Sequence, residues 1–310
     1  MYSNLLHNKT EATNRLKLPL CCSYKLLSIK REISQTMYIK PKTYKLGIAL
    51  SGGGARGIVH IGVLEALHKY GIHPEIISGT SMGALVGVFY AAGFEPLQIL
   101  ELVKSNKMMK MFKWQLPSSG LIDLKKVLSI LETNIETDDF SILKKPFYCS
   151  VVNLNSGHSE IKSEGKLFQW VLASASIPVI FEPQIIDGIT YVDGGLLNNL
   201  PVDCIRDQCR ILIGVHVNHN GPEDNISGIK WVAERTFCLT FGQNVRESIS
   251  KCDFVIDPPE TRRFNTFDFK KADELFRIGF EETENRILEM FDSIDLNQVV
   301  QEKLKRQEPT

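Results

Sequence analysis

Along this chain, short uninterrupted apolar runs alternate with stretches in which apolar residues recur at three- and four-residue spacing. These are the signatures of buried strands and of helices with one apolar face. Residues 45–50 (KLGIAL) form the first run, and a glycine-rich turn over 51–57 follows it. Ile58, Ile61, Val63, Leu64 and Leu67 then mark one face of a helix over 58–70. The unit repeats at once: an apolar strand at 75–78 runs into a tight corner at Ser81, and a small-residue helix over 84–92 leaves it. Two strand-turn-helix units in about forty residues predict parallel strands joined by a right-handed crossover, with both turns at the same edge of the sheet.

Beyond residue 93 the pattern predicts helices over 96–104 and 121–132, then a hairpin of 147–154 with 158–162 through Asn155, Ser156 and Gly157. A helix over 167–174 ends before Pro178. Residues 184–193 form a second hairpin, for which Asp187 and Gly188 supply the two-residue turn. A strand-like run at 211–217, a short strand near 254–256 and helices over 231–250 and 270–290 complete the chain. The last two helices are expected to cover the sheet.

Composition narrows the class. The 310 residues are 43% hydrophobic and 23% charged with a formal net charge of zero, an ordinary globular balance that removes the electrostatic argument for a nucleic-acid partner. No apolar run approaches the length of a membrane span. Seven cysteines make no C-x-x-C pair, which fits reduced thiols, a cytoplasmic location and no metal site. Residues 1–42 differ, with eight lysines and arginines against two glutamates and scattered apolar residues. They are expected to be a disordered basic extension, or to precede a true start at Met37, leaving one domain over 43–310. Residues 104–117, from Lys104 to Pro117, hold four lysines, three methionines, two aromatics and no acid. That mixture suits a cover in peripheral contact with a membrane, and it equally suits a connector between helices.

The candidate chemistry gathers at the predicted sheet edge. The corner has the spacing Gly79-x-Ser81-x-Gly83: a sharp strand-to-helix turn leaves no room for a Cβ two residues either side of the serine. The hydroxyl is pushed out at the positive end of the next helix, a nucleophile's position, although a glycine-flanked serine also serves as a plain turn and N-cap. Gly52, Gly54 and Gly57 have the spacing of a dinucleotide site, which would make the chain a nucleotide-binding oxidoreductase. That reading expects an acid at the end of the second strand, where this chain has the serine corner. Amides of Gly53 and Gly54 would then meet Ser81 in one crevice as donors to an oxyanion. Arg56 either reaches a substrate phosphate, braces the glycine turn or faces solvent. Asp193 ends the strand after the second hairpin, as a turn residue or as a carboxylate at the crevice. Among the histidines, His219 in a polar loop is the alternative base, His216 is expected to pack within a strand, and His60 and His68 lie on the first helix.

Taken together, Gly52 to Gly57, Gly79-Thr80-Ser81-Met82-Gly83, and Asp193-Gly194-Gly195 followed by Asn198-Asn199-Leu200-Pro201 resemble the three blocks of the patatin-like phospholipase family, in that family's order. The resemblance runs from about Leu46 to Pro201. It implies a three-layer α/β/α sandwich with a mainly parallel central sheet, and hydrolysis of fatty acyl esters in phospholipids or related lipids without a cofactor. It also implies a Ser-Asp dyad, with Ser81 as nucleophile, Asp193 as proton acceptor, and the amides of Gly52, Gly53 and Gly54 as oxyanion hole. A catalytically idle lipid-binding protein of the same fold would carry the same blocks.

Overall fold

The computed structural model describes residues 43–105, 124–219 and 228–293. The expected extension over 1–42 lies outside the described residues. Strand β1 (Tyr44–Leu50) leads through a 3-10 turn at Gly54–Ile58 into helix α1 (Val59–Lys69). Strand β2 (Ile76–Gly79) leads into α2 (Met82–Ala92), and α3 (Pro96–Lys104) follows, opened by a capping box between Glu95 and Gln98. Most of the basic segment over 104–117 also lies outside the described residues. Its first residue, Lys104, ends α3 and pairs with Asp273 at 2.8 Å.

Helix α4 (Lys125–Asn134) precedes the hairpin of β3 (Phe147–Asn153) and β4 (His158–Lys162). Helix α5 (Leu167–Ser174) precedes the hairpin of β5 (Gln184–Ile186) and β6 (Ile189–Asp193). In the turn between β5 and β6, Asp187 and Gly188 have φ of 51° and 78°, as a primed turn requires. Then come α6 (Asp203–Arg206), β7 (Cys209–Val215), α7 (Ile229–Ser250), β8 (Phe254–Ile256) and α8 (Ala272–Ser293).

The strands form one sheet in the order β5-β6-β3-β2-β1-β7-β8, with β4 on β3. Pairing is parallel from β3 through β2, β1 and β7 to β8, and antiparallel where β3 meets β4 and β6. Alternate residues of the central strands enter different apolar clusters. Ile48, Leu50, Ile77 and Ile213 join Ile61 and Leu64 of α1, whereas Ala49, Ile76 and Leu212 join Ile205 of α6 and Val245 of α7. Helices therefore cover both faces, which is why these strands appear as continuous apolar runs. Each fully buried Ile or Leu contributes about 1.5–3 kcal/mol, so this double burial carries most of the fold's stability.

Leu50 stands opposite Gly79 on one side and Val215 on the other, so β1 lies at the point where the strand order reverses. In open α/β sheets that point leaves a crevice beyond the strand ends. The strand predicted at 211–217 stops at Val215, because Ser51 turns away from the sheet and the Val217 amide binds the Ser51 hydroxyl at 3.1 Å.

The layer over α1 depends on two glycines. A Cβ on Gly62 would stand 2.0 Å from the Phe276 carbonyl oxygen, and one on Gly279 would stand 2.1 Å from that of Val59. Helices α1 and α8 thus cross backbone to backbone. Gly279→Leu should force them apart and lower stability by about 1–3 kcal/mol, read as a fall in Tm. An unchanged Tm would mean that α8 does not pack on α1 in this way.

Candidate active site

Ser81 occupies the corner between β2 and α2. Its φ of 55° and ψ of −122° lie outside the regions that non-glycine residues ordinarily use, and its hydroxyl makes no capping hydrogen bond to α2. The serine is therefore not a simple N-cap. Such a backbone costs about 1–3 kcal/mol and persists only where the surroundings enforce it. Here they do: a Cβ on Gly83 would stand 2.3 Å from the Leu50 carbonyl oxygen, so α2 starts hard against the end of β1. The Ser81 amide donates to Ser174 Oγ at 2.9 Å, which in turn donates to the Ser150 carbonyl at 2.7 Å.

Asp193 is brought alongside by register. Gly79 of β2 pairs with Cys149 of β3, and Val151, two residues further, pairs with Asp193 of antiparallel β6. The Asp193 side chain is wholly buried. Its Oδ1 accepts from the Gly195 amide at 2.8 Å, while Oδ2 has no partner meeting hydrogen-bond geometry among the described residues. Burial pushes the carboxyl from its ordinary 3.8 up to about 7, against a smaller pull from the neighbouring Ser81 hydroxyl and the Gly195 amide. The structure thus brings Ser81 and Asp193 together, and it leaves that carboxylate poised near neutrality.

The glycine turn divides its donors. The Gly52 amide is taken by Asn199, through the carbonyl at 3.2 Å and the side-chain Oδ1 at 3.1 Å, and the Ala55 amide by the Thr266 carbonyl at 2.7 Å. Amides of Gly53 and Gly54 have no partner among the described residues. Of the three amides expected to form a cradle, that of Gly52 is thus already engaged by Asn199. Gly57 gives its space to Met82, whose Cγ would lie 2.4 Å from an added Cβ, and Gly194 packs against the Ser150 carbonyl. Arg56 donates to the Phe264 carbonyl at 2.8 Å and to Asn218 Oδ1 at 3.3 Å. These contacts make it a brace for the turn.

No histidine bonds to Ser81 or Asp193 among the described residues. His216 and His219 both face Asp257, at 3.1 and 3.6 Å. His60 is buried beneath the turn with Nε2 2.7 Å from the Ser51 carbonyl, and burial pushes its pKa down to about 4.

Several residues here escape sequence reasoning. Asn244 of α7 accepts from the Asn199 amide at 3.0 Å and donates to the Gly195 carbonyl at 3.1 Å, tying the glycine turn's partner to the Asp193 turn. Nothing local marks that asparagine. Phe267 and Phe269 wall an apolar pocket shared with Ser81, Gly54 and Met82. Their only signal is a phenylalanine-rich patch in an otherwise polar stretch.

The buried carboxyl has a measurable consequence. Its folded pKa stands above the ordinary value, so ionised Asp193 costs stability above about pH 7, and the cost fades as pH falls from 7 toward 3.8. Asp193→Asn keeps an oxygen for Gly195 and removes the charge. It should melt a few degrees above the native chain at pH 8, with a smaller gap at pH 5. Equal melting points at both values would mean that the carboxyl is solvated.

Comparison with known proteins gives the family of the chain. The patatin-like phospholipase family matches residues 48–204, about half the chain, a span that includes the glycine turn, Ser81 and Asp193. Lysophospholipase NTE1 of Coccidioides immitis is 28% identical over 76% of this chain and 17% of its own length. The enzyme of the same name from Kluyveromyces lactis is 27% identical over 76% of this chain and 18% of its own. The chain thus spans less than a fifth of these curated relatives. The crystal structure of VipD from Legionella pneumophila shares the fold, with a TM-score of 0.52 at 15% identity over 79% of this chain and 66% of that one. With three motif blocks, a mainly parallel sheet between helices and a family match spanning all three blocks, this chain belongs to the patatin-like phospholipase family.

Proposed function

We propose that the chain is a serine lipid acyl hydrolase that cleaves fatty acyl esters of phospholipids or lysophospholipids. The observation that carries this reading is the meeting of three features in one crevice: a strained serine, a buried carboxyl near neutrality, and two unpaired glycine amides. Relatives named lysophospholipase support the substrate class.

In the proposed cycle, Asp193 takes the proton of Ser81 as Oγ attacks the ester carbonyl carbon. Amides of Gly53 and Gly54 hold the oxyanion, in an environment where fixed donors contribute a few kcal/mol each. The ester C–O bond breaks, the leaving alcohol takes the proton from Asp193, and an acyl-serine remains. Water then gives a proton to Asp193 and attacks the acyl carbon, and the fatty acid leaves as Ser81 regains its proton. A carboxylate is normally too weak a base for this work. Burial raises its basicity to where proton transfer at neutral pH becomes efficient.

Ser81→Ala should abolish ester hydrolysis and labelling by a fluorophosphonate while leaving Tm near that of the native chain. Asp193→Asn should lower turnover by roughly 10²- to 10⁴-fold, and His219→Ala should leave it nearly unchanged. Because the base works only when ionised, kcat/KM should fall as pH drops through about 7. Full activity in Ser81→Ala would end the proposal, and a folded native chain that neither turns over nor labels would favour an idle lipid-binding protein.

A further inference from the structure

The peptide unit that joins Gly52 to Gly53 is gripped on one side and open on the other. Its carbonyl accepts from Asn218 Nδ2, while the Gly53 amide has no partner among the described residues. The described residues contain no cis peptide bond, so this carbonyl and this N–H point in opposite directions. A bond that holds the carbonyl toward Asn218 therefore holds the N–H away from it.

Such a hold matters at this position. With glycine on both sides, no Cβ opposes rotation of the unit, and a flip would put the carbonyl oxygen where the N–H now stands. An oxyanion there would meet the negative end of a dipole in place of a donor. The bonds from Asn199 to the Gly52 amide restrain only the preceding unit. Glycine at 53 is also what lets Asn218 come close, since a Cβ there would stand 2.5 Å from Val217 Cγ2 and 3.1 Å from Asn218 Oδ1.

Asn218 is itself firmly placed. It is buried just beyond β7, where the Val217 amide donates to Ser51 Oγ at 3.1 Å and the His216 amide to the Ile256 carbonyl at 2.9 Å. Its side-chain amide can face one way only. Oδ1 accepts from Arg56 Nη1 at 3.3 Å, and a guanidinium has nothing but donors, so turning the amide over would set donor against donor at Arg56 and oxygen against oxygen at Gly52. Arg56 is anchored in turn by the Phe264 carbonyl at 2.8 Å. The result is a directed series, from the guanidinium through the Asn218 amide and the Gly52 carbonyl to the Gly53 N–H, in which each bond strengthens the next by about 10–30%. The charge of Arg56 thereby reinforces a donor two amide groups away.

We propose that Asn218 is a positioning residue for ester hydrolysis: it fixes and polarises the Gly52–Gly53 peptide so that the Gly53 amide donates to the developing oxyanion. The inference rests on the acyl-hydrolase reading and adds to it a residue beyond position 204, where the family match ends. Asn218 acts through Gly53 and needs no contact with substrate.

The test compares butyryl p-nitrophenyl ester with its thiono counterpart, in which sulfur replaces the carbonyl oxygen. Sulfur accepts hydrogen bonds weakly, so the oxo-to-thiono ratio of kcat/KM measures the oxyanion site itself. Asn218→Asp keeps the shape and the acceptor for Arg56, and at pH 8, where a carboxylate beside a guanidinium is ionised, it removes the donor to Gly52. In this variant kcat for the oxo ester should fall roughly 10- to 100-fold with KM little changed, because the interaction is made in the transition state. The oxo-to-thiono ratio should fall at least threefold, whereas a general loosening of the fold would slow both esters alike. A folded variant whose ratio falls less than threefold overturns the proposal. A second measurement uses the native chain labelled with 15N at glycine and asparagine, with Ser81 phosphonylated by a fluorophosphonate whose phosphoryl oxygen takes the oxyanion's place. The Gly53 amide proton and one Asn218 side-chain proton should both move downfield on labelling. Either signal unmoved overturns the proposal and leaves the hydrolase reading intact, and a folded native chain that neither turns over the ester nor labels overturns both.

Discussion

The close approach of α2 to the end of β1 is the constraint on which the rest of this site depends. Gly83 packs against the carbonyls of Leu50 and Ser51, so the chain leaving β2 has no room for a gradual turn. Ser81 takes up the strain with a positive φ, and its hydroxyl is thereby kept out of helix capping. The same contact holds the serine corner beside the glycine turn, since both begin one or two residues past the paired positions Leu50 and Gly79. A looser corner would relax the serine and separate it from the donors at once.

Around this corner the protein holds two locally unfavourable arrangements. A fully buried carboxyl with one oxygen lacking a hydrogen-bond partner among the described residues is unfavourable, and so is a serine in a glycine-like conformation. Both are held by ties that reach far along the chain. Asn199 grips Gly52, Asn244 grips Asn199 and Gly195, and Gly195 grips Asp193. On the other side Thr266 and Phe264 hold Ala55 and Arg56. Within this ring of bonds the amides of Gly53 and Gly54 have no partner among the described residues.

The hydrocarbon side of the crevice follows a different economy. Met82 serves both as the first residue of α2 and as a wall of two apolar spaces.

Features set by neighbours in the chain were legible from residues alone. The two strand-turn-helix units, the serine corner between Gly79 and Gly83, the Asp187-Gly188 hairpin and the position of Asp193 at a strand end all follow from spacing and backbone sterics, which act over a few residues. Tertiary structure decided the rest. It determined which glycine amides stay unpaired, because the competitor Asn199 comes from 147 positions away. It turned His219 toward Asp257, made Phe267 and Phe269 walls of the pocket, and buried Asp193 deeply enough to raise its pKa. Each of these depends on groups far apart in sequence that only packing brings into contact. Local pattern carries no trace of the partner a buried amide, carboxyl or imidazole will meet.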